Sequence, residues 1–79
     1  MIKLKILTPH GSREMDVQAV FLPGTAGNFE VLPSHAPIIS TLEEGDIRWR
    51  TSDGCEESLK VKGGVMRCRN NEMHVCAEL

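Results

Sequence analysis

The sequence lacks any long apolar segment. No apolar run approaches the roughly 18 residues that a membrane-spanning helix needs. The beginning, Met1 to Gly11, lacks the extended apolar core of a signal peptide. Helical periodicity is missing as well, since no window of about eleven residues repeats its apolar positions at helical spacing. Contact with a membrane is therefore expected only through a partner.

Cysteine chemistry is also sparse. Three cysteines cannot all pair within one chain, and no C-x-x-C spacing is present, so neither a zinc ribbon nor a redox motif is supported. Free thiols fit a reducing compartment such as the cytoplasm. Cys68, His74 and Cys76 are a candidate set of metal ligands. The favoured interpretation, however, is that the cysteines are small buried hydrophobic residues. We expect no metal site and no cofactor.

The balance of charge excludes another class of partner. The chain has 79 residues and a net charge of -2, which argues against nucleic acid because phosphate contact needs a concentrated basic patch. The basic residues are instead scattered in pairs spaced two apart, which predicts that each pair decorates the solvent face of a strand. These pairs are Lys3 and Lys5, Arg48 and Arg50, Lys60 and Lys62, and Arg67 and Arg69.

What is present is alternation of apolar and polar residues, as in Ile2 to Ile6, Ile47 to Arg50 and Met73 to Ala77. Such alternation indicates strands with one buried face. Asp53-Gly54 predicts a two-residue hairpin, Asn70-Asn71 a weaker one, and Gly63-Gly64 a bulge or tight corner. The sequence predicts a single all-β domain over residues 1–79, a β-sandwich or flattened barrel of about eight to ten short strands.

The segment from Leu22 to Pro37 contains three of the four prolines and is the candidate for function, because loops on a rigid scaffold commonly carry binding. Pro23-Gly24 predicts a type II turn, and Gly27 allows a second change of direction, so that a small polar tip is displayed. The second loop is stiffened by Pro33 and Pro37 and presents His35 with little backbone freedom. That histidine either bonds a nearby carbonyl or contacts a partner.

Catalysis finds little support in these residues. Ser34 and His35 are adjacent in sequence but lack an orienting acid, and the acidic clusters Glu43 to Asp46 and Asp53 to Glu57 resemble solvated hairpin ends. Trp49 is interpreted as a core residue or as an edge that a partner covers. Two functions remain open: a non-catalytic interaction module, and a small ligand-binding β-domain that uses Trp49 and the His35 loop.

A long motif favours the first of these functions, the interaction module. The pattern Leu22-Pro23-Gly24-x-x-Gly27-x-Phe29-x-Val31-Leu32-Pro33-x-His35-Ala36-Pro37, followed by Leu42-x-x-Gly45-x-Ile47, resembles the epsilon subunit of F-type ATP synthases. The Gly63-Gly64 pair fits the same family, and the resemblance covers essentially the whole chain. It implies a ten-stranded, non-catalytic β-sandwich in the rotor, which binds the γ subunit by one face and the membrane c-ring by its lower end. The catalytic head would be contacted indirectly, at the cytoplasmic face of a bacterial cell membrane.

The resemblance also assigns roles to the two loops. It implies a c-ring-contacting loop formed by Gly24, Thr25, Ala26, Gly27, Asn28 and Phe29. It implies a γ-contacting region formed by Pro33, Ser34, His35, Ala36 and Pro37. The family often has an acid where this chain has Asn28 and a glycine where it has Glu30, so a charge pair at the ring and the local shape of this strand are not carried over. The helices that follow the sandwich in many members, and their inhibitory role, are not assigned to this sequence.

Overall fold

The computed structural model describes all 79 residues and contains eight β-strands and no helix. The all-β prediction is confirmed. The strands are β1 (Ile2–Thr8), β2 (Gly11–Gly24), β3 (Gly27–Val31), β4 (Ile38–Leu42), β5 (Gly45–Thr51), β6 (Glu56–Val61), β7 (Gly63–Arg69) and β8 (Glu72–Glu78). No helix long and apolar enough to cross a membrane is present.

Eight strands is fewer than the ten that the resemblance implies, and the long strand β2 accounts for part of the difference. It runs for 14 residues without a break, although its register with β5 shifts between Val17 and Ala19. A β-bulge of this kind bends a strand. The first half of β2 can therefore pair with β1 and the second half with β3, so that one strand serves two parts of the sheet.

The sheet closes on itself into a flattened barrel. Its strand order is β1-β8-β7-β4-β2-β5-β6, with β3 paired to β2 and an additional pairing between β1 and β2. All pairs are antiparallel except β1 with β8. The molecule measures 27 × 24 × 17 Å, and its shortest dimension accommodates two packed layers about 10 Å apart. The predicted sandwich or flattened barrel is confirmed.

The alternation in the sequence places the apolar residues of each strand in one core. Ile2, Leu4 and Ile6 are completely buried, and so are Met73 and Val75 on the parallel neighbour β8. No polar or charged residue is buried. The core is therefore held together by burial of apolar surface, and the polar groups available for recognition lie outside it.

The structure reverses the predictions for the two hairpins: the weaker candidate, Asn70-Asn71, forms a two-residue turn, and the stronger one, Asp53-Gly54, lies in a wider loop. Asn70 and Asn71 have φ angles of 53° and 60°, and they connect β7 to β8 as a two-residue turn of the type with two positive φ angles. In the β5–β6 connection only Gly54 has positive φ, at 86°, and the loop spans Ser52 to Cys55. The two-residue prediction for Asp53-Gly54 is wrong because Asp53 accepts a hydrogen bond from the Thr51 hydroxyl, which supports a wider loop.

The Gly63-Gly64 pair forms the predicted corner. Only Lys62 separates β6 from β7, and the chain passes there from the β5 side of the sheet to a position between β4 and β8. Gly64 has φ of 154°, and a Cβ atom built on it would lie 2.2 Å from the carbonyl oxygen of Cys76. This close approach of two backbones is available only to glycine.

Candidate interaction site

The first loop of the candidate site is the hairpin between β2 and β3. Thr25 and Ala26 form its turn, whereas Pro23 and Gly24 lie inside strand β2 and are buried. The type II turn predicted for Pro23-Gly24 is therefore wrong. Packing explains the difference, because Gly24 pairs with Gly27, and a Cβ atom on Gly24 would lie 2.7 Å from the Gly27 carbonyl oxygen and 2.8 Å from Cε1 of the Phe29 ring. Glycine is needed here for these close contacts and not for a turn.

The hairpin is fastened to strand β4. The backbone N–H of Thr25 donates to the carbonyl oxygen of Thr41 at 3.1 Å, and the two threonine hydroxyls lie 2.8 Å apart. Gly24 is buried and Phe29 is half-buried, so the exposed part of the predicted ring-contacting loop runs from Thr25 to Asn28. We call these four residues the tip. It is small, polar and held in a fixed position.

Beside the tip lies an acidic groove that the sequence analysis did not connect to it. The polar residues that line this cavity of about 450 Å³ are three acids and one base, beside Asn28: Glu43, Glu44, Asp46 and Arg48; Pro23 and Phe29 also line it. The three acids are exposed, as expected for solvated hairpin ends. Their position next to Asn28 follows from the pairing of β2 with both β3 and β5, which is a long-range feature. The groove offers several carboxylates to a cationic group.

The second loop, from Pro33 to Pro37, begins with a type II turn. The backbone N–H of His35 donates to the carbonyl oxygen of Leu32 at 3.2 Å, Pro33 occupies the first central position, and Ser34 has φ of 66° at the second. The backbone N–H of Ser34 donates to Oδ1 of Asn71 at 2.6 Å. The loop is thus tied to the turn between β7 and β8, and its prolines and this bond restrict it as expected.

His35 is exposed and makes a local hydrogen bond. Its Nδ1 donates to the carbonyl oxygen of Ala36 at 2.6 Å, which places the proton on Nδ1 and leaves Nε2 as an acceptor facing outward. The local-bond alternative is therefore what the isolated chain shows. A partner contact through the other ring nitrogen is compatible with that bond and stays a prediction.

The two loops lie at opposite ends of the sandwich. Strand β3 begins at the tip and ends just before the Pro33–Pro37 loop, and β4 runs back so that Leu42 pairs with Gly24. At about 3.4 Å per residue, the five residues of β3 span roughly 14 Å. Short strands of a closed sheet, and not flexible linkers, thus separate the two surfaces.

Trp49 is not a ligand platform. Its side chain is completely buried, its Nε1–H donates to Oε1 of Glu57 at 2.9 Å, and the guanidinium of Arg13 lies 5.4 Å from the ring centroid. The core interpretation is confirmed. The alternative function, which required Trp49 to stack a ligand beside the His35 loop, is contradicted by this burial.

The candidate metal set is separated by the sheet. Met73 pairs with Cys68, and both side chains point into the core, whereas His74 and Cys76 point outward from β8. The three potential ligands therefore do not converge. Burial raises the pKa of the Cys68 thiol, and the nearby Asp53 carboxylate raises the pKa of the exposed Cys55. Neither thiol is activated as a nucleophile by its surroundings.

Comparison with known proteins identifies a family for this chain. The family model for the ATP synthase delta/epsilon chain β-sandwich domain matches residues 1–79. The ATP synthase epsilon chain of Wolinella succinogenes is 39% identical over 79 residues, which cover 99% of this chain and 60% of that protein. The chain therefore spans about 60% of the length of this relative.

Two solved structures have the same fold. A chain in the Euglena gracilis mitochondrial ATP synthase, in a structure of OSCP, F1 and c-ring, superposes with a TM-score of 0.91 at 16% identity, covering 96% of this chain and 49% of that one. A chain in the Tetrahymena thermophila mitochondrial ATP synthase central stalk and c-ring gives 0.83 at 10% identity, covering 99% and 63%. The match over residues 1–79 confirms the resemblance in the sequence, and the chain belongs to the ATP synthase delta/epsilon family as its β-sandwich domain.

Proposed function

We propose that the protein is a central-stalk subunit of an F-type ATP synthase that links the γ subunit to the c-ring and performs no chemistry itself. Family membership supports this proposal. The observation that carries it is the placement of two shaped loops at opposite ends of a closed sheet. In this proposal residues 1–79 act as one unit, which reaches the cytoplasmic face of a bacterial cell membrane only through its partners.

The tip is the proposed contact with the c-ring. Thr25, Ala26 and Gly27 present little side-chain bulk, so another backbone can approach closely. The bonds to Thr41 keep the turn in place when a load is applied. Asn28 has no charge, but the groove beside it supplies the carboxylates of Glu43, Glu44 and Asp46, which would accept hydrogen bonds from a cationic side chain of a ring loop.

The Pro33–Pro37 loop is the proposed contact with γ. Its restricted backbone lowers the entropy cost of ordering it against a partner. Large apolar side chains flank it, with Leu32 49% exposed and Ile39 72% exposed. Exposed apolar groups rimmed by polar residues are typical of protein interfaces. His35 lies between them and presents a free ring nitrogen.

A rigid connection between two partners explains how such a domain would couple rotation. The ring must turn γ without slipping, and a subunit that grips both raises the effective concentration of each for the other. A close-packed, wholly apolar core deforms little under strain. Torque applied at the tip would therefore reach the γ-contacting loop through β3 and β4 with little loss.

The experiment is affinity purification of the tagged chain from mild-detergent membranes of its source, with mass spectrometry of the bound proteins. We expect γ, the catalytic head and c subunits. His35→Ala should weaken γ binding by about 1–3 kcal/mol if the imidazole is buried on binding. His10→Ala, in the exposed turn after β1, is the matched control and should bind normally.

The tip is tested separately by Ala26→Trp, with Ser52→Trp in the β5–β6 loop as the control for added bulk on an exposed turn. Ala26→Trp should reduce recovery of c subunits while γ is retained. Unchanged recovery of c subunits would show that the ring contact lies elsewhere. Absence of γ, head and ring subunits from the purified wild-type chain, shown by circular dichroism to be folded, would refute the proposed function.

A further inference from the structure

The outer face of strands β1, β8 and β7 gathers positive charge. Four of the nine lysines and arginines lie here, Lys3 and Lys5 on β1 and Arg67 and Arg69 on β7. The prediction that each basic pair decorates the solvent face of a strand is confirmed for these two pairs. Strand β8 lies between β1 and β7 and brings the pairs to either side of itself, a consequence of topology that spacing along the chain does not reveal.

The register aligns these groups in two rows across the strands. One row contains Lys5, His74 and Arg67, and the next contains Lys3, Glu72 and Arg69. Neighbouring strands are about 4.8 Å apart, so the six side chains share one small patch. Glu72 is the carboxylate that lies between the basic residues. On its other side, β1 pairs Lys3 with Asp16 and Lys5 with Glu14 of β2, so the two arginines and not the lysines supply the net positive charge of the patch.

The two arginines of this patch have no carboxylate partner. The molecule contains two ion pairs, Arg13 with Glu57 and Arg48 with Glu56, and neither involves β7. Nη2 of Arg67 lies 3.4 Å from Nδ1 of His74 and donates to it, so that the imidazole proton is on Nε2. The remaining guanidinium N–H groups and the Nε2–H of His74 are thus donors without acceptors in the protein.

These donors surround a polar pocket. Arg67, Arg69, Glu72 and His74 line a cavity of about 230 Å³, and no hydrophobic residue contributes to it. A polar lining of this kind offers nothing to an apolar ligand. Planar guanidinium groups match the oxygens of an oxyanion in a bidentate manner, and phosphate supplies enough acceptors and negative charge for two arginines at once.

We propose that this pocket binds a phosphate group. Arg67 and Arg69 contact its oxygens, and Nε2–H of His74 is the third donor. The proposal does not rest on the rotor function, because its donors and their geometry belong to the isolated chain.

The test is a titration of the ¹⁵N-labelled chain with inorganic phosphate, followed by backbone amide shifts, with sodium chloride of equal ionic strength as the reference. We expect saturable shifts confined to the residues from Arg67 to His74. Arg67→Gln with Arg69→Gln should weaken binding by at least about tenfold, because the charge-assisted bonds are lost.

The matched control is Arg48→Gln with Arg50→Gln. This pair has the same spacing on a strand, but its guanidinium groups lie 4.8 and 5.8 Å from the Phe21 ring centroid, outside the pocket. The control should bind phosphate as the wild type does. An equal loss in both double variants would mean that general charge and not this pocket is responsible, and would overturn the proposal.

A second arm identifies the source of the phosphate. Vesicles of phosphatidylcholine with phosphatidic acid are sedimented with the chain and compared with phosphatidylcholine alone. Saturable binding of inorganic phosphate indicates a soluble ligand, and co-sedimentation that requires both phosphatidic acid and the two arginines indicates a lipid headgroup. The absence of both saturable amide shifts and arginine-dependent co-sedimentation would refute the site.

Discussion

Substitution of Gly64 by alanine tests the close approach of strand β7 to strand β8. The backbone at Gly64 has φ of 154°, and the added Cβ would lie 2.2 Å from the Cys76 carbonyl oxygen and 3.2 Å from Cα of Ala77. The backbone conformation costs about 1–3 kcal/mol for a residue with a side chain. Relieving the overlap moves β7 away from β8 and costs about 1–3 kcal/mol more.

A loss of about 2–6 kcal/mol is large for this domain. At about 0.05–0.15 kcal/mol per residue, a chain of 79 residues has a total stability of roughly 4–12 kcal/mol. We expect Gly64→Ala to be partly or fully unfolded. Urea unfolding followed by fluorescence of Trp49, the single and completely buried tryptophan, measures the change directly. With a slope near 1 kcal/mol per molar urea, the midpoint should fall by at least about 2 M.

Alanine variants of two other glycines distinguish the two causes of this loss, the backbone conformation and the steric overlap. At Gly54 φ is 86° and nothing lies within 4 Å of the added Cβ, so Gly54→Ala carries only the backbone cost, about 1 kcal/mol after the unfolded-state gain. Gly63 has no positive φ, and its Cβ would be 3.4 Å from the Leu42 carbonyl oxygen, so its alanine variant should stay near wild type. If Gly64→Ala is as stable as Gly63→Ala, the close contact of β7 with β8 is refuted.

Two further predictions concern buried groups. Because burial raises the pKa of Cys68 above its ordinary 9.0, the unfolded chain loses this proton first, and the free energy of unfolding should fall as pH rises past that value. Between pH 8 and 10 the free energy of unfolding of Cys68→Val should decrease less than that of wild type. The control is Cys76→Val, at an exposed thiol. If the free energy of unfolding of Cys68→Val depends on pH as steeply as that of wild type, this account is refuted. Glu57→Gln keeps an acceptor for Nε1–H of Trp49 and should cost less than about 1 kcal/mol, whereas Glu57→Leu leaves that donor unpaired and should cost about 1–3 kcal/mol. Urea unfolding measures both, and equal losses would show that the hydrogen bond contributes nothing.

The sequence predicted those features that depend on a residue and its near neighbours. Alternation gave the buried face of each strand, and it placed Trp49 in the core through its spacing from Ile47. The stiff loop around His35 followed from Pro33 and Pro37, whose effects on the backbone are local. These inferences needed no knowledge of which strand pairs with which.

The errors arose where distant residues decide the local structure. Pro23-Gly24 has the composition of a turn, but both residues pair with β3, where Gly27 and the Phe29 ring pack closely against Gly24. Asp53-Gly54 has the stronger hairpin composition, yet the hydroxyl of Thr51 engages Asp53 and the loop widens. Turn propensity is thus a local preference that a packed ring or a side-chain hydrogen bond can override.

Strand pairing also explains why the net charge of -2 says little about recognition here. The acids beside Asn28 lie at the tip end, whereas Arg69 lies at the other end, next to the Asn70-Asn71 turn that holds the Pro33–Pro37 loop. Exposed charges act over about 10 Å at 0.1 M salt, which is less than the roughly 14 Å that β3 spans between the two loops. A group approaching either end therefore senses mainly the local charge. The groove at the tip carries more acids than bases and the pocket on β7 and β8 carries two arginines, so this small domain presents two surfaces of opposite charge.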